Sequence, residues 1–214
     1  TSTDPTAPAG TALINSATVT SPTIFPASDT HTVNLNQVAQ IAIGKYVDAP
    51  LDPLNDTQNY TLRARNFSTL VNVKNFRFIE VFPYAGDTNN TAGVSRAPGS
   101  NFTGTLTLTG EPTTVFTADP TKPAIAGTFY YTADTPATVN QDWNANTSTW
   151  CSYSASTFTL ALGTGTCPTS LTAVTAFMFV ATPDLAATNV TTGYRSIMDI
   201  NFTLQATGDR PNEW

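Results

Sequence analysis

The residues of this chain whose types could do chemistry are few, and most of them are asparagines. Asn55, Asn59, Asn66, Asn89, Asn101, Asn146, Asn189 and Asn201 each head an N-x-S/T triplet, the acceptor pattern for N-linked glycans. A threonine-rich chain makes some such triplets by chance. Their middle residues carry more information, because Tyr60, Phe67, Phe102 and Phe202 stand between the Asn and the Ser or Thr. On a strand, residues i and i+2 share one face and i+1 points to the other, so burying the aromatic turns the asparagine toward solvent. These sites are therefore expected to be exposed and mostly modified. The alternative is a set of threonine-faced strands with no sugar.

Cys151 and Cys167 are the two cysteines. Their spacing fits no CxxC metal or redox motif, and an even count in a sequon-rich chain predicts a disulfide closing a short loop. Two buried thiols are the other possibility. Catalytic constellations are sparse. His31 has no G-x-S-x-G nucleophile to serve, and the D-T-G or D-S-G triplet of an aspartic protease is missing. The glutamates are Glu80, Glu111 and Glu213, and a glycosidase needs two carboxylates facing one cleft. Asp119, Asp134, Asp142, Asp184 and Asp199 fall in turns or on an outward strand face and suggest no pair. The loop around Asp52 and Asp56 lacks the D-x-D-x-D-G spacing of a Ca²⁺ site. The reading is of a protein that is no enzyme, with no cofactor and no metal. Lys45 and Lys74 fall within predicted strands, where an inward lysine could in principle cross-link to an Asn; both are expected to point outward or to block an edge.

The elements that must position these residues are strands. Of the 214 residues 40% are hydrophobic and only 11% charged, with a formal net charge of -6. β-Branched threonine dominates the polar residues, favouring strands and leaving an uncharged polar surface. Without a Lys/Arg run, nucleic acid is not an expected partner. A surface solvated by hydroxyls and amides loses few ion pairs when carboxylates are protonated, which suits an acidic medium. The run Ala176 to Ala181 is far too short to span a bilayer. If the chain is exported, its signal peptide is taken as already removed.

Period-two patterns recur along the chain. Val33, Leu35, Ala39, Ile41 and Ile43 share a parity in one long segment, as do Tyr60, Leu62 and Ala64 in the next. A phase change between Val73 and Phe76 predicts a bulge near Lys74 and Asn75. Phe102, Leu106 and Leu108, then Ile125, Phe129 and Tyr131, mark two half-buried strands. Residues 133–156 are polar and irregular, anchored by Trp143 and Trp150, and are expected to form an insertion clipped by the cysteines. Met198, Ile200, Phe202, Leu204 and Ala206 define a strongly amphipathic strand. No helix is predicted, and the strand spacing predicts an all-β fold, an Ig-like or pilin-like sandwich in a single domain over residues 26–214.

Residues 1–25 stand apart. Pro5 and Pro8 precede, and Pro22 and Pro26 follow, a proline-free run of strand length, TALINSATVTS at residues 11–21. It reads as a strand that belongs to no hairpin of its own, a mobile arm able to add to a sheet edge elsewhere, against the plainer reading of a frayed first strand. As a donor it would bury Leu13, Ala17 and Val19 on one parity and turn Ile14 outward or to the rim.

The portable arm, the run of Ig-like strands, the dense sequons and the low-charge surface together resemble the thread filament pilins of thermoacidophilic archaea. The resemblance is one of overall pattern along the whole chain. It implies an exported, N-glycosylated subunit of an extracellular cell-surface filament, with a role in adhesion or biofilm. It also implies identical subunits as partners, joined head to tail by donor-strand complementation, with residues 11–21 as donor strand. Two readings from other classes stand beside it: a secreted acid-stable carbohydrate-active enzyme, and a surface-lattice or capsid subunit that associates through faces.

Overall fold

The computed structural model describes residues 12–21, 24–34, 41–48, 56–68, 71–87, 100–117, 126–182, 184–187 and 196–208; for 12–21, 24–34, 116–117 and 196 it describes the backbone alone. The chain is all-β, as the alternating patterns predict. In order, the strands are β1 (Ala12–Ser21), β2 (Ile24–Asn34), β3 (Ile41–Val47), β4 (Thr57–Asn66), β5 (Arg77–Val81) and β6 (Thr105–Leu108). They continue with β7 (Thr113–Thr117), β8 (Ala126–Thr132), β9 (Trp150–Ser154), β10 (Thr157–Leu162), β11 (Ala176–Thr182) and β12 (Ser196–Thr207).

Two antiparallel sheets form the body. One runs β3-β4-β12-β6, with β7 also pairing β12 beyond the end of β6; the other runs β10-β9-β8-β11-β5. Their facing sides share one apolar cluster. Leu62, Met198, Ile200, Phe202 and Leu204 come from the first sheet, and Tyr131, Phe177 and Phe179 from the second. The even-numbered face of β12 and the Leu62–Ala64 parity of β4 are buried as their periodicity predicts. Phe202 stacks on Tyr60 at 5.2 Å and meets Phe177 edge-on at 5.1 Å, so aromatic rings cross between the sheets. β11, apolar on both parities, lies inside its sheet between β8 and β5, where both of its faces are covered. Gly127 of β8 is required there, since a Cβ at that position would lie 2.2 Å from the Phe179 ring.

The structure corrects several local expectations. The phase change after Val73 is a tight turn and not a bulge: Val73 bridges to Leu185, Lys74 is exposed, and Asn75 adopts φ +52 before β5 begins. Within residues 133–156, short 3-10 turns at Pro136–Thr138 and Trp143–Ala145 do form an excursion. Its end is ordered sheet, because Trp150 and Cys151 open β9 and both are buried. The disulfide between Cys151 and Cys167 is present, with Cα atoms 5.8 Å apart, as predicted. It ties β9 to the segment that follows β10.

The N-terminal stretch also differs from its reading. β1 does belong to a hairpin: it pairs antiparallel with β2, from Ala12 opposite Asn34 to Val19 opposite Ala27, and among the described residues no ladder joins this pair to either five-stranded sheet. The ladder crosses the boundary expected at residues 25 and 26. Pro26 lies inside β2 instead of ending the arm. The register shift between Val19 and Ser21 falls opposite it, which is where a residue without an N–H is tolerated. The long segment read through Ile43 is divided into β2 and β3, which lie in different sheets.

Candidate assembly edge

The first sheet ends in β3 on one side and in β6 and β7 on the other, the second in β10 and β5, and β3 and β5 are outer strands on the same side of the body. Their relation is fixed by one ion pair. Lys45 of β3 is opposite Leu62 of β4, and Leu62 is buried in the core, so Lys45 faces inward between the sheets. Glu80 of β5 is opposite Phe177 of β11, also a core residue, and faces inward from the other sheet. Lys45 Nζ donates to Glu80 Oε1, closing a bridge between the two edge strands. The lysine is thus neither outward-pointing nor an edge block, which corrects the expectation for Lys45. Asn, its imagined cross-linking partner, is not what it meets.

The pair is asymmetric. The Glu80 side chain is 8% exposed and that of Lys45 39%. Burial pushes the Glu80 carboxyl above the usual carboxylate range; Lys45 opposes that shift in part, and the charge of Asp87 adds to it. Lys45 also lies 5.0 Å over the Tyr60 ring, which gives its ammonium a second favourable surface.

The rest of this inward parity of β3 is open. Ile41, Ile43 and Val47 stand on the Lys45 side of the strand, opposite Asn66, Ala64 and Tyr60. Ala64 is completely buried, yet Ile43 beside it is 60% exposed, Ile41 39% and Val47 37%. These residues face the core direction without being covered. An edge strand whose core parity is apolar and solvent-facing marks an incomplete sandwich. The outward parity of β3 is different: Tyr46 covers Arg63 at 5.5 Å, and Arg63 holds Asp199 through two hydrogen bonds of 2.6 and 2.5 Å on the outer face.

The sequons fall into distinct environments. Asn59 and Asn101 are exposed, and their aromatic neighbours Tyr60 and Phe102 are half-buried, in agreement with the alternation argument. Asn59 and Asn201 form a reciprocal pair across β4 and β12: Thr203 donates to Asn59 Oδ1 at 2.6 Å and Thr61 to Asn201 Oδ1 at 2.8 Å. Asn66 reverses the argument. Phe67 is the exposed residue there, and Asn66 is 0% exposed, its Nδ2 donating to the carbonyls of Val71, Leu185 and Ala186 at 2.9 to 3.1 Å. The atom that would bear the sugar is buried and occupied, so Asn66 does not fit the role first assigned to it. Asn146 is half-buried and holds the Trp150 indole through Oδ1 at 2.9 Å. Asn55, Asn89 and Asn189 lie outside the described residues, as do the side chains of Leu13, Ile14, Ala17, Val19 and His31.

For hydrolytic chemistry the geometry offers little. A shallow cleft of about 480 Å³ is lined by Val81, Tyr84, Asp87 and residues 136–142. Of its carboxylates, Asp142 accepts from the Asn144 N–H as a turn cap, and Asp87 is buried. Among the described residues no three His, Cys, Asp or Glu side chains gather as a metal site would require, and no helix is long and apolar enough to cross a membrane.

The sequence could have disclosed the two residues that matter most. Phe76, Phe78, Glu80 and Phe82 share one parity, so a glutamate in an aromatic stripe was legible as inward. Asn66 likewise shares the parity of Tyr60, Leu62 and Ala64. Comparison with protein-family models, with curated proteins and with solved structures returns no match.

Proposed function

We propose that the chain is the structural subunit of an extracellular filament, polymerised head to tail when the β1 strand of one subunit fills the open edge between β3 and β5 of the next. The observation that carries this reading is the exposed core-facing parity of β3, Ile41, Ile43 and Val47, beside the buried Leu62 and Ala64 of β4. A strand laid there would bury these side chains, each contributing roughly 1.5–3 kcal/mol when fully covered. It would also satisfy the unpaired backbone groups of the edge. The donor is at hand. A two-stranded hairpin unattached to a larger sheet is marginally stable, so β1 has much to gain from a better partner. Asn59, Asn101 and Asn201 supply an outer surface for N-linked glycans, and the disulfide suits an oxidising exterior.

Deletion of residues 1–21 followed by negative-stain electron microscopy tests the reading. The parent protein is expected to form thin single-file filaments and the truncated protein none. Filaments from the truncated chain would overturn it. A two-dimensional sheet or closed shell from the parent would favour the lattice alternative, and monodisperse particles active on polysaccharide the enzyme alternative.

A further inference from the structure

The open edge is not uniformly apolar. The inward parity of β3 reads Ile41, Ile43, Lys45, Val47, with the Lys45–Glu80 bridge set between apolar positions on either side. An incoming strand that buried this edge would cover an ammonium and a carboxylate along with the isoleucines. Covering charged groups with an apolar side chain is costly unless hydrogen bonds replace the lost water.

The inward parity of the arm carries a matching interruption. It reads Leu13, Asn15, Ala17, Val19, a polar residue flanked by apolar ones. An Asn amide has both an acceptor oxygen and a donor NH₂ group, so it can accept from an ammonium and donate to a carboxylate at one place. It can also accept from a protonated carboxyl, so the match survives acidification.

Resting on the donor-strand reading, we propose that the Lys45–Glu80 bridge is the register key of the acceptor edge, selecting Asn15 of a second copy. With Asn15 at Lys45, an antiparallel strand places Leu13 at Val47, Ala17 at Ile43 and Val19 at Ile41. A parallel strand places Leu13 at Ile43 and Ala17 at Val47. Both directions bring Leu13 and Ala17 to apolar positions, and the antiparallel one also sets Val19 at Ile41 where the parallel one sets Thr11. A slip of two residues sets Leu13 or Ala17 on the ion pair, and a slip of one exchanges the whole face for Ile14, Ser16, Thr18 and Thr20. Without the charged position, the apolar groove would accept the two-residue slips nearly as well, and the spacing between subunits would vary.

The test uses the full chain with cysteine pairs that leave the key intact, oxidised and resolved on non-reducing gels. Intermolecular ladders are expected from Ala17→Cys with Ile43→Cys and Leu13→Cys with Val47→Cys for an antiparallel donor. For a parallel donor they are expected from Leu13→Cys with Ile43→Cys and Ala17→Cys with Val47→Cys. Dominant cross-links from Val19→Cys with Ile43→Cys or with Val47→Cys would overturn the register, and cross-links confined to monomers would show that a subunit's own arm fills its edge. In parallel, Asn15→Leu is expected to lower filament yield about tenfold or more, by leaving the covered pair unsatisfied. Lys45→Met with Glu80→Leu should restore the Asn15→Leu variant, with folding of each variant checked by circular dichroism. Should the triple variant fail to fold, the cross-linking pattern still decides. Assembly of Asn15→Leu at the parent level would overturn the key while leaving the donor-strand reading intact; only assembly without residues 1–21 refutes that reading itself.

Discussion

Replacing Lys45 by methionine would leave Glu80 facing the core with no cation. Removing one partner of a buried ion pair costs about 3–5 kcal/mol. The Lys45 side chain is 39% exposed and water reaches its end of the bridge, so the low end, about 3 kcal/mol, applies at neutral pH. The pH dependence follows from Glu80. Its folded-state pKa lies above the ordinary 4.5, so the folded chain binds its proton more tightly than the unfolded chain does. The associated stability is fully present below about pH 4.5 and is lost as pH rises through the folded value. Loss of Lys45 raises that value further, because the lysine is what opposes the shift. At pH 3 the carboxyl is neutral with or without the lysine, and the difference between parent and variant should shrink to about 1 kcal/mol, one ordinary hydrogen bond. For a chain of this size each kcal/mol moves Tm by roughly 2–4 °C. Thermal melts followed by circular dichroism should therefore separate parent and Lys45→Met by about 6–12 °C at pH 7 and about 2–4 °C at pH 3. A gap of equal size at both pH values would refute the reasoning, because it would mean that no buried charge depends on Lys45.

Peptide mapping of the protein from its native source should find Asn59 and Asn101 carrying sugar and Asn66 bare. Asn66→Ala should cost about 2–4 kcal/mol in chemical denaturation by stranding buried carbonyls, whereas a glycan found on Asn66 would contradict its packing. Changing Cys151 and Cys167 together to serine should lower stability by about 3 kcal/mol, read as a fall in the denaturation midpoint; an unchanged midpoint would show that the loop between them is held by its other contacts.

Much of the body was legible from alternation alone. The parities of β4, β8 and β12 predicted Leu62, Tyr131 and Phe202 as core, because each strand sets one parity against the opposite sheet. The edge was harder to read. Ile41 and Ile43 have the pattern of buried residues, and periodicity reports which way a side chain points but not whether anything covers it. The pairing of Lys45 with Glu80 depends on which strands are outermost in each sheet, a non-local fact that no window of sequence contains. Asn66 was misassigned for a different reason: the acceptor triplet was weighed by its aromatic centre, while the parity shared with Leu62 and Ala64 pointed the other way. The β1–β2 hairpin was missed because Pro22 and Pro26 were read as breakers, although Pro26 sits at the register shift of an edge strand.

The long strand β12 also sets a clock. It pairs with β4, β6 and β7 together, and its hydrogen bond from Thr61 to Asn201 joins residues 140 positions apart. The first sheet therefore has no middle until residues near 200 are available, however long β3, β4 and β6 have been waiting. Such non-local pairing makes folding slow. During that delay β4 has only β3 beside it, and Asn59 lacks Thr203, whose hydroxyl later donates to its Oδ1 at 2.6 Å, although Asp48 at the end of β3 is already within reach of its Nδ2. Topology thus leaves the Oδ1 side of the asparagine open while the chain is still being made, and covers it once the last partner arrives.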